Sequence, residues 1–190
     1  MKVLLALIAM TRIAHADHDD AALSKKDRER ANKSIHKRAL PVVKKKPAKL
    51  VNLYNTWTNE WLAVEVGGTA PAITVDRFLR DHFTNKPNGM EPKLLGILMS
   101  AAASFQSDQV MVVSAFRHPK YNLILRKKGH QVARDSQHTH GNAVDFFIPR
   151  VTTQQLHAWA KAQQIGGVGL YLDSGFIHMD TGKIRFWSGE

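Results

Sequence analysis

Apolar and polar positions follow two different periods along residues 50–190, and the changes of period mark out the elements. Val51-Asn52-Leu53-Tyr54-Asn55 and Glu60-Trp61-Leu62-Ala63-Val64-Glu65-Val66 alternate with a period near two, which places successive side chains on opposite faces of a strand. A turn at Thr58-Asn59 joins them, and Gly67-Gly68 ends the second. Leu94, Leu95, Ile97, Leu98, Ala101, Ala102 and Phe105 recur at helical spacing and predict a helix over Pro92–Phe105. Shorter helices are predicted over Thr74–His82, with Thr74 as its cap, over Pro119–Lys128, ended by Gly129, and over Thr152–Gln163, capped by Thr152 or Thr153. Gln109–Ala115, Ala143–Ile148, Val168–Leu172, Gly175–Asp180 and Lys183–Trp187 have the character of strands. Helices and strands mix without βαβ regularity, so the predicted class is α+β: a small antiparallel sheet flanked by about three helices.

The chain before residue 50 lacks the large apolar residues that a core needs. Lys2, the unbroken apolar run Val3–Met10 and Ala14-His15-Ala16 have the order of a secretory signal over residues 1–16, although Arg12 is an unusual residue between run and cleavage site. The run is too short to span a bilayer, which takes about 20 residues. A periplasmic or secreted location follows. Residues 17–49 are polar, carry Pro41, Pro47 and the run Lys44-Lys45-Lys46, and are expected to form a linker or tail, with a polar helix possible over 21–38. The net charge of +11 is concentrated there: residues 17–50 hold eleven Lys/Arg against five Asp/Glu, whereas residues 51–190 hold fourteen against eleven. A solvated tether is the simpler account of that charge, and contact with an anionic envelope surface the sharper one. Nucleic-acid binding by the tail finds no support in the aromatic pattern, and export argues against it. With no cysteine in its 190 residues, the chain has no disulfide framework, lipidated cysteine or thiolate ligand, so a metal would have to be held by His, Asp or Glu. The organisation expected is therefore a signal over 1–16, a basic segment over 17–49 and one folded domain over 50–190.

Within that domain the chemistry concentrates in Ser136-Gln137-His138-Thr139-His140-Gly141-Asn142-Ala143-Val144-Asp145 and in Phe176-Ile177-His178-Met179-Asp180. Strand alternation points Asp145 and Phe147 one way and Val144, Phe146 and Ile148 the other, and puts Phe176, His178 and Asp180 on one face. If the two strands share a sheet, Asp145 and His178 converge on one side. His138 precedes the first strand in a loop that Gly141 lets turn back. Two imidazoles and a carboxylate are the ligands a catalytic zinc uses, with a further position open to water. Spacing alone leaves these residues open between a metal site and ordinary strand residues, and His140 offers itself as a further ligand.

The run Ser136-x-His138-x-x-Gly141-x-Ala143-x-Asp145 resembles the first metal motif of the zinc peptidases that include D-Ala-D-Ala carboxypeptidases, lysostaphin-like endopeptidases and hedgehog signalling domains. Gly166-Gly167-Val168-Gly169-Leu170-Tyr171, Ser174-Gly175-Phe176-Ile177-His178-Met179-Asp180-Thr181-Gly182 and Arg185-x-Trp187 are similar to a narrower branch, the murein endopeptidase K-like proteins. So are Leu53-Tyr54-Asn55-Thr56 and Ser114-Ala115-Phe116-Arg117-His118-Pro119-x-Tyr121-Asn122, where that branch usually has Ser-Gly-Tyr-Arg-Ser-Pro. The resemblance runs from about Leu50 to Trp187.

It implies that His138, Asp145 and His178 bind Zn²⁺, which polarises a scissile carbonyl and acidifies a water. It implies that Arg117 holds a substrate carboxylate or the oxyanion, that Ser136 and Gln137 line the site, and that His140 assists proton transfer. The implied activity is that of an exported zinc peptidase cutting peptide cross-links of peptidoglycan, with stem peptides as its partners. Two departures bear on the base. Carboxypeptidases of this group carry an acid three residues before the last ligand, where this chain has Gly175; endopeptidase relatives put a His two before it, where this chain has Phe176. Asp180 is the first candidate for the base, with Asp173 and His140 behind it, and Asp180 has the alternative role of orienting a ligand histidine. The alternatives to an endopeptidase are a D,D- or L,D-carboxypeptidase and an inactive wall-binding module that keeps the fold.

Overall fold

A computed structural model describes residues 49–129 and 132–189; the signal expected over 1–16 and all but the last residue of the segment 17–49 lie outside them. Seven strands form one sheet in the order β2-β1-β3-β4-β6-β5-β7. They are β1 (Leu50–Asn55), β2 (Glu60–Glu65), β3 (Gln109–Ser114), β4 (Ala143–Phe147), β5 (Gly167–Tyr171), β6 (Phe176–Asp180) and β7 (Arg185–Gly189). Among the described residues four α-helices accompany it: α1 (Ala72–Phe78), α2 (Lys93–Ser104), α3 (Pro119–Lys127) and α4 (Thr153–Ala162). The α+β class holds, but the sheet is neither small nor purely antiparallel. β1 pairs parallel with β3, and β5 parallel with β7. A parallel pair needs a crossover between its strands, and β2, α1 and α2 supply the first. Such pairings join residues far apart in the chain, which local periodicity does not encode.

The core occupies one face of the sheet. The register lines up Leu53 with Val110, then Val112 with Phe146 and Phe146 with Ile177. All five are buried, together with Leu94, Ile97, Leu98 and Ala101 of α2 and Leu156 and Ala160 of α4. Each large apolar side chain removed from water contributes roughly 1.5–3 kcal/mol. Alternation then directs every second residue of β4 and β6, Asp145 and His178 among them, to the opposite face, away from this apolar row.

Helix ends follow their partners. The predicted helix over 74–82 instead spans Ala72–Phe78, and Thr74 does not cap it. It stops early because its last carbonyls are taken from outside: the amide of buried Asn55 donates to Phe78 O at 2.8 Å, and Arg80 Nη1 to Arg77 O at 2.8 Å. At α4 the expected cap is present. Thr152 and Gln155 form a reciprocal capping box.

Candidate metal centre and its cleft

Strand pairing assembles the centre. Asp145 and His178 are direct cross-strand partners in β4 and β6. His138 arrives on a single 3₁₀ turn, Gln137–His140, whose end at Gly141 has φ 75°. A Cβ at Gly141 would meet the Gly89 carbonyl oxygen at 2.5 Å, so both the backbone angle and the close approach require glycine. A register irregularity in β3 between Val112 and Ser114 precedes Ala115, whose carbonyl receives a hydrogen bond from His138 Nδ1 at 2.6 Å.

The outer partners assign each ring its tautomer. His138 Nδ1–H is committed to Ala115 O, and His178 Nε2–H to Asp180 Oδ2 at 2.9 Å. The atoms left facing one another are His138 Nε2, His178 Nδ1 and Asp145 Oδ1. Their separations are 3.0, 2.9 and 3.2 Å. Three lone-pair atoms packed this closely repel unless a proton or a metal ion lies among them. All three side chains are buried, so water does not screen the repulsion. Nitrogen and oxygen ligands about 2.0–2.1 Å from a tetrahedral ion stand roughly 3.3–3.4 Å apart, close to what is found here. The trio therefore fits a metal ion, and it is one that the donor geometry marks as a possible holder.

Burial would raise the Asp145 carboxyl, but the two imidazoles that face it outweigh burial and hold it below the usual carboxylate range. Burial pushes His138 down. It pulls His178 the same way, but hydrogen bonds to Asp145 and Asp180 outweigh it and raise that imidazole.

Asp180 lies behind His178. It is 0% exposed, and its two oxygens accept from His178 Nε2, Gly167 N, Gly182 N and both terminal nitrogens of Arg185. With its lone pairs filled in this way and its back to the facing ligand atoms, it orients His178. That geometry favours, of the two roles expected for Asp180, the orienting of a ligand histidine. His140 is separate from the trio as well. It is exposed, and its Nε2 bonds Asp135 Oδ1 at 2.6 Å. Asp173 is exposed in the β5–β6 turn.

The trio lies in a cleft of about 660 Å³. Arg117, Ser136 and Gln137 line it, as expected from the sequence, and so do Leu125, Asp135, Tyr171, Phe176, Arg185 and Trp187, which motif reasoning did not assign to the cleft. Arg117 is braced by its backbone N–H to His138 O at 3.0 Å. Arg185 anchors Asp180 while its side chain remains 45% exposed, and its guanidinium lies 5.0 Å from the Trp187 ring centre. Trp187 packs on His178, with ring centres 5.2 Å apart, and its indole N–H donates to the Tyr171 hydroxyl at 3.2 Å. The glycines of the Gly-Gly-Val-Gly run make room for these groups: a Cβ at Gly169 would meet the Trp187 ring at 2.6 Å, and one at Gly167 would meet Asp180 Oδ2 at 2.5 Å.

Comparison with known proteins matches the model of a family described as peptidoglycan L,D-endopeptidase MepK to residues 46–187. A probable peptidoglycan L,D-endopeptidase MepK from Haemophilus influenzae is 31% identical over 157 residues, covering 79% of this chain and 84% of the relative. The peptidoglycan L,D-endopeptidase MepK of Escherichia coli K12 is 33% identical over 114 residues, covering 60% of this chain and 63% of the relative. No solved structure matches.

Proposed function

Because the chain belongs to the peptidoglycan L,D-endopeptidase MepK family, we propose that it hydrolyses peptide cross-links of peptidoglycan at the His138–Asp145–His178 centre. The observation that carries this reading is the convergence of three buried lone-pair atoms in a cleft flanked by two arginines. Zinc suits two imidazoles and a carboxylate, and when bound it supplies a Lewis acid for the scissile carbonyl and an acidified water.

The chain's own residues do the rest. Ala115 O and Asp180 fix the two imidazoles. Arg117 and Arg185 present positive charge to the carboxylates that stem peptides carry, which positions the amide. Tyr171 and Phe176, stacked with ring centres 4.8 Å apart, form an apolar wall for the aliphatic part of the peptide. With Asp180 occupied, the proton acceptor is His140, whose imidazole is oriented by Asp135 of the cleft lining as a carboxylate orients a general base. The apolar leader exports the protein to the periplasm or beyond, and the basic segment tethers the domain there. Among the described residues no helix is long and apolar enough to cross a membrane.

The test is incubation of the purified protein with cross-linked muropeptides, with and without a chelator, followed by zinc restoration. Chelator-sensitive release of uncross-linked products is expected. Zinc retention without cleavage would return the chain to a wall-binding role. Loss of a terminal residue alone would make it a carboxypeptidase.

A further inference from the structure

Outside the cleft, four rings from three separate chain segments stack into a ladder. Trp57, in the β1–β2 turn, lies flat on His82 with ring centres 4.2 Å apart and planes 6° apart. His82 meets Tyr121 of α3 edge-on at 5.0 Å, and Tyr121 stacks on Phe83 at 4.9 Å and 10°. The end rings remain in solvent, with Trp57 57% and Phe83 51% exposed. Two buried polar side chains hold the backbone segments that carry them. The Asn55 carboxamide accepts from Trp57 N and Thr58 N while donating to Phe78 O, which joins the Trp57 turn to the end of α1. Asp81 Oδ2 accepts from Thr84 N and Thr84 Oγ1, closing the loop that carries His82 and Phe83. Exposed aromatics pinned by buried polar residues are preorganised for a ligand rather than left over from a core.

The ladder continues the cleft. Tyr121 and Leu125 lie one turn apart on α3, and Leu125 lines the cleft. Arg117 lines it too, and its charge reaches His82, whose imidazole is lowered chiefly by burial and further by Arg117, against the opposing charge of Asp81. The two regions differ in chemistry. The cleft carries arginines suited to charged stem peptides, whereas the ladder consists of ring faces without a formal charge at neutral pH. In peptidoglycan the neighbour of a stem peptide is a sugar, whose pyranose ring offers a face of C–H groups to an aromatic plane.

We propose that the Trp57–His82–Tyr121–Phe83 ladder is a subsite for the glycan strand from which the cleaved stem peptide hangs. The proposal rests on the endopeptidase reading for the identity of the polymer. It is tested with the full chain in two assays: binding of peptide-free glycan strands, followed through tryptophan fluorescence and sedimentation, and cleavage of glycan-bearing against glycan-free cross-linked peptides. Trp57→Ala is expected to weaken glycan binding and raise KM on glycan-bearing substrate by roughly five- to tenfold, with kcat and the glycan-free substrate unchanged. Trp57→Phe, which keeps a flat ring, is expected to restore most of both, and an unchanged melting temperature shows that the fold is intact. Equal effects on both substrates, no effect on either, or a change confined to self-association would each overturn the subsite. Failure of the parent protein to cut either substrate would overturn the endopeptidase reading, while the glycan-binding assay would still decide the ladder.

Discussion

The floor of the cleft and its rim are built on opposite plans. The floor stands on two neighbouring strands and the 3₁₀ turn that precedes the first of them. His138, Asp145, His178 and Asp180 are all buried, and both imidazoles have committed outer partners. The rim stands on loops and on α3, where His140, Asp135 and the outer rings of the ladder meet solvent. The contrast teaches that atoms needing fixed separations are placed where backbone pairing sets them. Groups exposed to solvent are carried by loops and a helix, whose backbone is held by buried side chains such as Asn55 and Asp81.

Substitutions break the comparison at different depths. The largest effect is expected at the floor: His138→Ala, Asp145→Ala or His178→Ala removes a ligand, and cleavage falls at least about 10³-fold with loss of bound metal. The domain stays folded, because the core lies on the other face of the sheet, and circular dichroism with metal analysis checks both halves. At the rim, His140→Ala is expected to leave metal content intact and to lower kcat by about 10²-fold or more. Unchanged kcat would remove His140 from proton transfer.

Asp180→Asn falls between floor and rim. Metal affinity is expected to drop about 10- to 100-fold as His178 loses its charged partner, and turnover to recover at saturating zinc. A rate that stayed low with the site fully loaded would give Asp180 a direct part in the chemistry.

The smallest effect is on acid stability. Burial lowers His82 in the folded state, so the unfolded chain binds the proton more readily, and stability falls as pH drops below the ordinary imidazole value of about 6.5. His82→Phe keeps a ring in the ladder and removes this contribution. Melting curves at pH 7 and 5 should differ less for the variant than for the parent, by no more than about 2 °C.

The parts legible in the sequence were those with short-range signatures. Strand alternation placed Asp145 and His178 on one face, and the motifs around them added His138, Arg117, Ser136 and Gln137. The role of Asp180 was less accessible, since it depends on which donors fill its oxygens, and those come from Gly167, Gly182 and Arg185 as well as its neighbour His178. The aromatic ladder was out of reach for a related reason. Positions 57, 82, 83 and 121 have no common period, and only the tertiary fold brings them together. The parallel pairing of β1 with β3 and the early end of α1 both depend on distant partners too.

The interleaving of β4 and β6 has a consequence for the life of the chain before it is active. Their connection contains α4 and β5, so Asp145 and His178 meet only after a long loop has closed. A nascent chain offers an ion three donors scattered over forty residues, and no seat. Metal capture is thus a late event that reports completed assembly and adds its free energy to the finished sheet alone. A protein able to cut the wall acquires that ability only where it folds.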